Sequence, residues 1–235
     1  SHLILEVSSH GLDLHRVDAL DFDVAAFTNL SRDHLDYHGT LEAYGAAKAR
    51  LFTELGAACS VIHVDDSFGA TLAERAEGNV LRCSRRPDVP ADVRMTSWST
   101  TRNGIEATVE TPSGAVEITS PLLGEHNLEN LLVAMGCVHA LGLDLRRAAA
   151  ALAQAGGSPG RLERIEHPRD VAVLVDYAHT PVALSRVLET MREVTPRRLI
   201  AVFGAGGDRD RGKRPAMGRV GVEHADLCIL TSDNP

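Results

Sequence analysis

RLIAVFGAGG, residues 198–207, is the stretch on which the fold turns. An unbroken apolar run from Leu199 to Phe203 ends abruptly in glycines. That is a buried strand entering a Gly-rich turn, the place where open α/β sheets hold their ligands. The continuation, GGDRDRGKRP (206–215), has the outline of a phosphate-binding loop: Gly207, four residues, Gly212, Lys213. The outline fails chemically. Such a loop needs a Ser or Thr hydroxyl after the lysine to hold Mg²⁺, and here Arg214 and Pro215 follow. Asp208 and Asp210 would repel a triphosphate where bare backbone N–H groups should face it. The stretch predicts a charged turn after a strand, with a ligand site and an ordinary solvated loop both open as its role.

On either side of it, apolar strands alternate with helical patterns. VAVLVDYAHTP (171–181) predicts a strand and loop, VALSRVLETMREV (182–194) a helix, MGRVGVEHA (217–225) a helix and DLCILTSDNP (226–235) a strand and turn. This alternation predicts a parallel sheet with right-handed crossovers, hence an α/β fold. Upstream, AGGSPGRLERI (155–165) breaks the helical pattern with Gly and Pro, so the expected domains are 1–157 and 158–235. In the first, LILEV (3–7), DVAAFTNL (23–30) and CSVIHVDD (59–66) predict strands, and SSHGLDLHRVDAL (8–20) has room for a short helix. Helices are expected in LEAYGAAKARLFTEL (41–55), FGATLAERAE (68–77), ENLLVAMGCVHALGL (129–143) and LRRAAAALAQA (145–155), the last capped by Asp144. VRMTSWST and IEATVETPSGAVEITSP predict hairpin strands around a Pro-Ser-Gly turn.

The bulk numbers narrow the function. A chain of 235 residues, 44% hydrophobic, holds one large domain or two ordinary ones. A net charge of -8 argues against nonspecific nucleic-acid binding. No apolar run is long enough to span a membrane, and the first residues lack a signal peptide's basic region. Cys59, Cys83, Cys137 and Cys228 have no C-x-x-C spacing and read as small core or surface residues in a reducing compartment, with the cytoplasm as default. LILEV begins without a cap and LCILTSDNP ends on a strand and turn, so a fragment of a longer protein is expected.

Several clusters could carry chemistry. Glu6 stands between Leu5 and Val7, where a buried carboxylate is costly unless paired or metal-bound. Ser8 or Ser9 could cap a helix, with His10 beside them. TNLSRDHLDYHGT (28–40) holds Asn29, Asp33, His34, Asp36 and His38 just after a strand. Hard oxygen donors with an imidazole suit Mg²⁺ or Mn²⁺; hydrogen-bonding loop residues are the plain alternative. Lys48, by itself, is a solvated helix lysine. Asn127 and Asn130 share a helix face and could cap it or touch a ligand. Tyr177, in DYAHTP (176–181), could stack on a base, or the segment is a tight turn closed by Pro181.

Taken in order, EVSSHGL (6–12), TNLSRDHLDYHGTLEAYGAAKARLF (28–52), GEHNLENLLVA (124–134), PGRLE (159–163), DYAHTP, GAGGDRDRGKRPAMG (204–218) and TSDNP (231–235) resemble the Mur ligases over nearly the whole chain. The resemblance implies the latter part of a central ATP-binding domain, then the first part of a Rossmann-like C-terminal domain. The UDP-binding domain and the true phosphate loop would lie upstream. Within the family, EVSSHGL with DYAHTP and GGDRDRGKRP points to the member that joins the third amino acid to UDP-N-acetylmuramoyl-L-alanyl-D-glutamate. ATP and Mg²⁺ are the implied cofactors and an acyl phosphate the intermediate.

Carried over by motif, Glu6 and His34 become Mg²⁺ ligands and Lys48 the lysine that carries a carbamate. Ser8 and Arg16 become contacts to the nucleotide-dipeptide, although Leu14 departs from a glutamine often found there. Asn127, Asn130, Arg161, Tyr177 and His179 become ATP-side residues. Arg209, Asp233 and Asn234 become the pocket for the incoming amino acid. An arginine after Asn-Pro would favour meso-diaminopimelate over L-lysine, and the leaning is to the former. A monomer is the family's usual form, and closure about Gly156–Gly160 is expected to assemble the site. Folylpolyglutamate synthase, the murein-peptide ligase, a noncatalytic nucleotide-binding module and a metal-dependent hydrolase remain the alternatives.

Overall fold

The structure is a computed structural model that describes residues 2–31, 34–169, 171–205 and 212–232. Internal contacts divide it into two compact units. One comprises Ser1–Trp98, Ala107–Ile118 and Leu128–Leu152; the other comprises Ser99–Glu106, Thr119–Asn127 and Ala153–Pro235.

The chain opens with a short helix, α1 (Ser9–Asp13), followed by strand β1 (Val24–Phe27), the four-residue helix α2 (Leu35–His38) and helix α3 (Leu41–Thr53). Then come β2 (Cys59–His63), α4 (Ser67–Arg75), β3 (Asn79–Ser84) and three strands in succession: β4 (Val93–Thr101), β5 (Gly104–Thr111) and β6 (Gly114–Ser120). All six strands form one sheet in chain order. β1, β2 and β3 are parallel, with Val24 opposite Cys59 and Cys59 opposite Asn79, and β3 meets β4 in parallel only at Cys83–Val93 and Ser84–Arg94. The two-residue connections within β4–β5–β6 are those of antiparallel strands.

β2 shows why the inner sheet forms. Its residues are buried from Ser60 to His63, as expected of a parallel strand covered on both faces. On one side Phe27, Phe52, Ile62, Leu72 and Leu12 make a continuous core. α3 begins where the Thr40 hydroxyl accepts from Ala43 N at 3.1 Å. Its buried residues Tyr44, Ala47, Leu51 and Phe52 follow helical spacing. α5 (Glu125–Ala140) buries Leu128, Leu131, Leu132 and Met135, and Gly136 brings it close to Val61 and Cys83. α6 (Leu145–Leu152) follows, with Asp144 accepting from Arg147 N as its expected cap.

α4 sits so close to β2 that a Cβ on Gly69 would overlap the His63 carbonyl oxygen. Gly69→Ala is therefore expected to cost about 1–3 kcal/mol, the usual penalty for overpacking. Urea unfolding followed by circular dichroism measures it, and an unchanged midpoint would show that the helix can shift without loss.

The second unit contains β7 (Glu163–Ile165), β8 (Val173–Val175), α7 (Pro181–Val194), β9 (Ile200–Phe203), α8 (Lys213–His224) and β10 (Leu227–Leu230). β9 and β10 pair in parallel, Ile200 opposite Leu227, as strands joined through a helix must. Leu184, Leu188, Ala201 and Met217 form its core. The Asp226 carboxylate accepts from Leu199 N at 2.7 Å and from Arg192 at 3.0 Å. Those bonds, the backbone one foremost, hold it below the usual carboxylate range.

Three expectations need correction. LILEV is not a strand: Leu3 and Ile4 are 87% and 94% exposed. An apolar pentapeptide becomes a strand only when a neighbour completes its ladder, and no described strand pairs with it. β8 does not join β9 in one parallel sheet; it pairs antiparallel with β7, Glu163 opposite Val175. α2, β3 and β7 were not expected. The four cysteines are free thiols; burial pushes Cys83 up strongly and Cys137 to about 11. Among the described residues, no helix is long and apolar enough to cross a membrane.

Candidate active site

Two groups of the expected residues come together, one in each unit. In the first unit, Ser8 caps α1, its hydroxyl accepting from Gly11 N at 3.0 Å. The next residue, Ser9, is buried, and its hydroxyl lies 2.9 Å from His38 Nε2. His34 precedes α2 with left-handed backbone, φ 51 and ψ 26, and its carbonyl accepts from the Tyr37 and His38 amides. Its imidazole stands edge-on to Tyr44 at 5.8 Å and to His10 at 5.2 Å.

Tyr44 is the hub of this group. It is 7% exposed; His38 lies 5.3 Å from its ring and Lys48 Nζ 5.2 Å from the ring centroid. Tyr44 and Lys48 are one helical turn apart on α3, which brings the ammonium over the aromatic face. Tyr37 donates to Asp13 at 2.7 Å, a bond that raises its phenol above the ordinary value.

Glu6 does not join this group through burial. It lies on the exposed extended segment before α1, so the expected desolvation cost is absent there. Arg16 is exposed in the turn after α1, its amide donating to Gly11 O at 2.8 Å. Arg50 anchors the same turn through the Leu12 carbonyl and through Asp18 at 3.3 Å. Among the described residues, no three imidazole, carboxylate or thiol groups converge as a ready metal site. The donor chemistry fits a hard divalent cation nonetheless if Lys48 carries a carboxyl group: His34 then offers nitrogen, while Glu6 and the modified Lys48 offer oxygen. As an ammonium, Lys48 would repel the ion.

The second group lies between Arg161 and His179, within the second unit. Asp176 fixes the backbone there, accepting from Leu162 N at 2.9 Å and Ala178 N at 2.8 Å. Leu162 has positive φ, 46°, a conformation such a clamp helps hold. Tyr177 is 66% exposed, its ring 5.8 Å from the Arg161 guanidinium and 5.1 Å from His179. A flat aromatic surface between two cationic or titratable groups can stack on a base and neutralise phosphate oxygens. The turn closes on Thr180, whose hydroxyl accepts from Ala183 N at 3.2 Å, and Pro181 is the first residue of α7 rather than a simple turn residue.

Asn127 and Asn130 both lie on α5, and the Asn127 amide donates to Leu123 O at 2.8 Å, bracing the turn before the helix. Arg209, Asp233 and Asn234 lie outside the described residues, as do Asp33 and most of the GGDRDRGKRP turn. Tyr44 is not among the expected site residues; its spacing four residues before Lys48 is the available signal. Asp176 is expected beside Tyr177 and His179 at a strand end, and here it holds the backbone of the turn.

Two family models match the chain: Mur ligase middle domain over residues 1–138, and Mur ligase glutamate ligase domain over 160–235. The chain belongs to the Mur ligase family. The UDP-N-acetylmuramoyl-L-alanyl-D-glutamate–2,6-diaminopimelate ligase of Geobacter metallireducens is 48% identical over 240 residues, covering 99% of this chain and 47% of that protein. The ligase of the same name from Gloeobacter violaceus is 49% identical over 234 residues, again 99% and 47%. A solved structure bearing that ligase's name superposes with a TM-score of 0.76 at 40% identity, covering 97% of this chain and 47% of that one. Mycobacterium tuberculosis folylpolyglutamate synthase, solved with ADP, has a TM-score of 0.68 at 21% identity over 92% of this chain and 55% of its own, and shares the fold alone. This Mur ligase chain spans about half the length of the curated relatives it matches. The expected family and α/β fold class are borne out.

Proposed function

We propose that this chain is part of an ATP-dependent ligase that adds the third amino acid, meso-diaminopimelate, to UDP-N-acetylmuramoyl-L-alanyl-D-glutamate in peptidoglycan synthesis. The observation carrying this reading is the near-complete coverage of the chain at 48–49% identity by ligases of that name. The grouping of His34, Tyr44 and Lys48 supports it. The domain division at 157/158, a cytoplasmic location and a monomeric state belong to the same reading.

In this reading Glu6, His34 and a carbamylated Lys48 hold Mg²⁺, which supplies charge neutralisation for phosphoryl oxygens. Arg161, Tyr177 and His179 receive the nucleotide, with Asn127 and Asn130; Ser8 and Arg16 contact the nucleotide-dipeptide; Arg209, Asp233 and Asn234 take the incoming amino acid. The D-glutamate γ-carboxylate attacks the γ-phosphorus of ATP and releases ADP, giving an acyl phosphate. The amine of the third amino acid then attacks the acyl carbon, phosphate leaves, and the amine's proton goes to solvent.

Phosphate release by the complete protein tests this, with ATP, Mg²⁺ and UDP-N-acetylmuramoyl-dipeptide, and with meso-diaminopimelate, L-lysine or no amine. Release that depends on meso-diaminopimelate is expected. Dependence on L-lysine instead would overturn the amino-acid assignment. Release without amine would favour a hydrolase, and no release would favour a noncatalytic nucleotide-binding role.

A further inference from the structure

β2 ends in an imidazole where its buried apolar residues would lead one to expect another aliphatic side chain. His63 is 2% exposed, directly after Val61 and Ile62, which are wholly buried. Its Nδ1 lies 3.0 Å from the carbonyl oxygen of Thr28, in the loop that leaves β1. Its Nε2 lies 3.1 Å from Asp65 Oδ2. A carbonyl can only accept, and the Asp65 carboxylate already accepts from the Ser84 hydroxyl and from Arg85 N at 3.0 Å. Both neighbours are acceptors, so a ring N–H turned toward either one donates to it. The next residue, Asp66, also serves two elements: Oδ1 accepts from Gly69 N at 2.5 Å and caps α4, while Oδ2 lies 3.4 Å from Leu30 N.

Residues 63–66 thus hold the β1 exit loop at two points, Thr28 O and Leu30 N. A helix cap needs only one oxygen of Asp66, and the strand needs no imidazole at its end. In the sequence His34 follows four residues after Leu30. We infer that His63, buttressed by Asp65 and assisted by Asp66, is a positioning residue that sets the Thr28–Leu30 loop and through it the placement of His34. The inference rests on the Mg²⁺ role proposed above for His34. His63 touches no reacting atom; it acts through the backbone of the loop.

Three substitutions in the complete protein separate this role from mere packing. In His63→Asn the side-chain amide can stand where Nδ1 stands and still donate to Thr28. In His63→Gln the amide reaches toward Asp65 and abandons Thr28, and His63→Leu fills the space with no donor. His63→Leu and His63→Gln are expected to raise the Mg²⁺ concentration for half-maximal turnover about tenfold, as loss of a group supporting a metal ligand does, with His63→Asn within about threefold of the parent. The KM for the amine should stay unchanged in all three.

A second readout does not depend on catalysis: hydrogen exchange in the Thr28–Ser31 segment. Faster exchange is expected in the Leu and Gln variants and parent-like exchange in the Asn variant, with α5 equally protected in all to show that the fold is intact. Equal behaviour of the Asn and Gln variants, or an unchanged exchange rate in folded His63→Leu, would overturn the inference. If the parent shows no amine-dependent phosphate release, the ligase reading fails, while the exchange ranking still decides whether His63 sets the loop.

Discussion

Lys48→Ala in the complete ligase is expected to lower amide formation by at least about 10³-fold, the scale on which a preorganised electrostatic group contributes to a charged transition state. The loss of stability should be small beside that. Lys48 lies inside α3 among Ala46, Ala47 and Ala49, and alanine is the best helix former. Among what the substitution removes is the approach of the half-buried ammonium to the Tyr44 ring at 5.2 Å, a cation–π contact on the order of 0.5–2 kcal/mol. A loss of turnover far larger than a small shift in the urea midpoint accounts for is therefore the signature of a chemical role.

Lys48→Arg sharpens the point. The guanidinium keeps the charge and the reach, but it stays protonated and cannot take up CO₂ to become a carbamate. It should be as inactive as the alanine variant, and added short carboxylates should not rescue it, because the arginine still fills the site. Full turnover in Lys48→Arg would remove the carbamate and leave Lys48 as a simple cation.

How far such roles can be read from residue order depends on where the determining contacts lie. α3 was legible because its Ala, Leu and Lys content and its helical spacing are local. β2 was legible from its mostly apolar stretch, Val61, Ile62 and Val64 foremost. LILEV has the same kind of run and is not a strand, because strand formation is decided by a neighbour's backbone rather than by the segment itself. β3 failed in the opposite direction. Asn79 and Arg82 interrupt its apolar pattern, yet it is an inner strand because β2 and β4 flank it.

The site divides in the same way. His34, Asp36 and His38 stand out because they crowd together in the chain, whereas Lys48 on α3 takes its role only from the family resemblance. His63 was passed over, since an imidazole closing an apolar strand shows its purpose only when Thr28, 35 residues earlier, lies against it. Asp176 was noticed only as part of a turn, because its partner Leu162 N is 14 residues away. Local motifs disclose the groups that can meet substrate; the groups that hold those motifs in place come from other strands.

His34→Ala should raise the Mg²⁺ concentration for half-maximal turnover by about tenfold or more, since a lost ligand weakens the ion directly. Alanine alone leaves an ambiguity that the backbone creates. His34 has φ 51 and ψ 26, and a residue without a local polar side chain in that left-handed region is strained by about 1–2 kcal/mol. The loop could relax in His34→Ala and shift the Mg²⁺ titration through displaced neighbours. His34→Asn removes this route, because asparagine tolerates the left-handed conformation while replacing the imidazole nitrogen by a shorter amide. If both variants raise the Mg²⁺ requirement, the imidazole is the ligand. If alanine raises it and asparagine does not, His34 serves the backbone turn into α2 and the ion is held by other groups. An unchanged titration in both would take His34 out of the metal site.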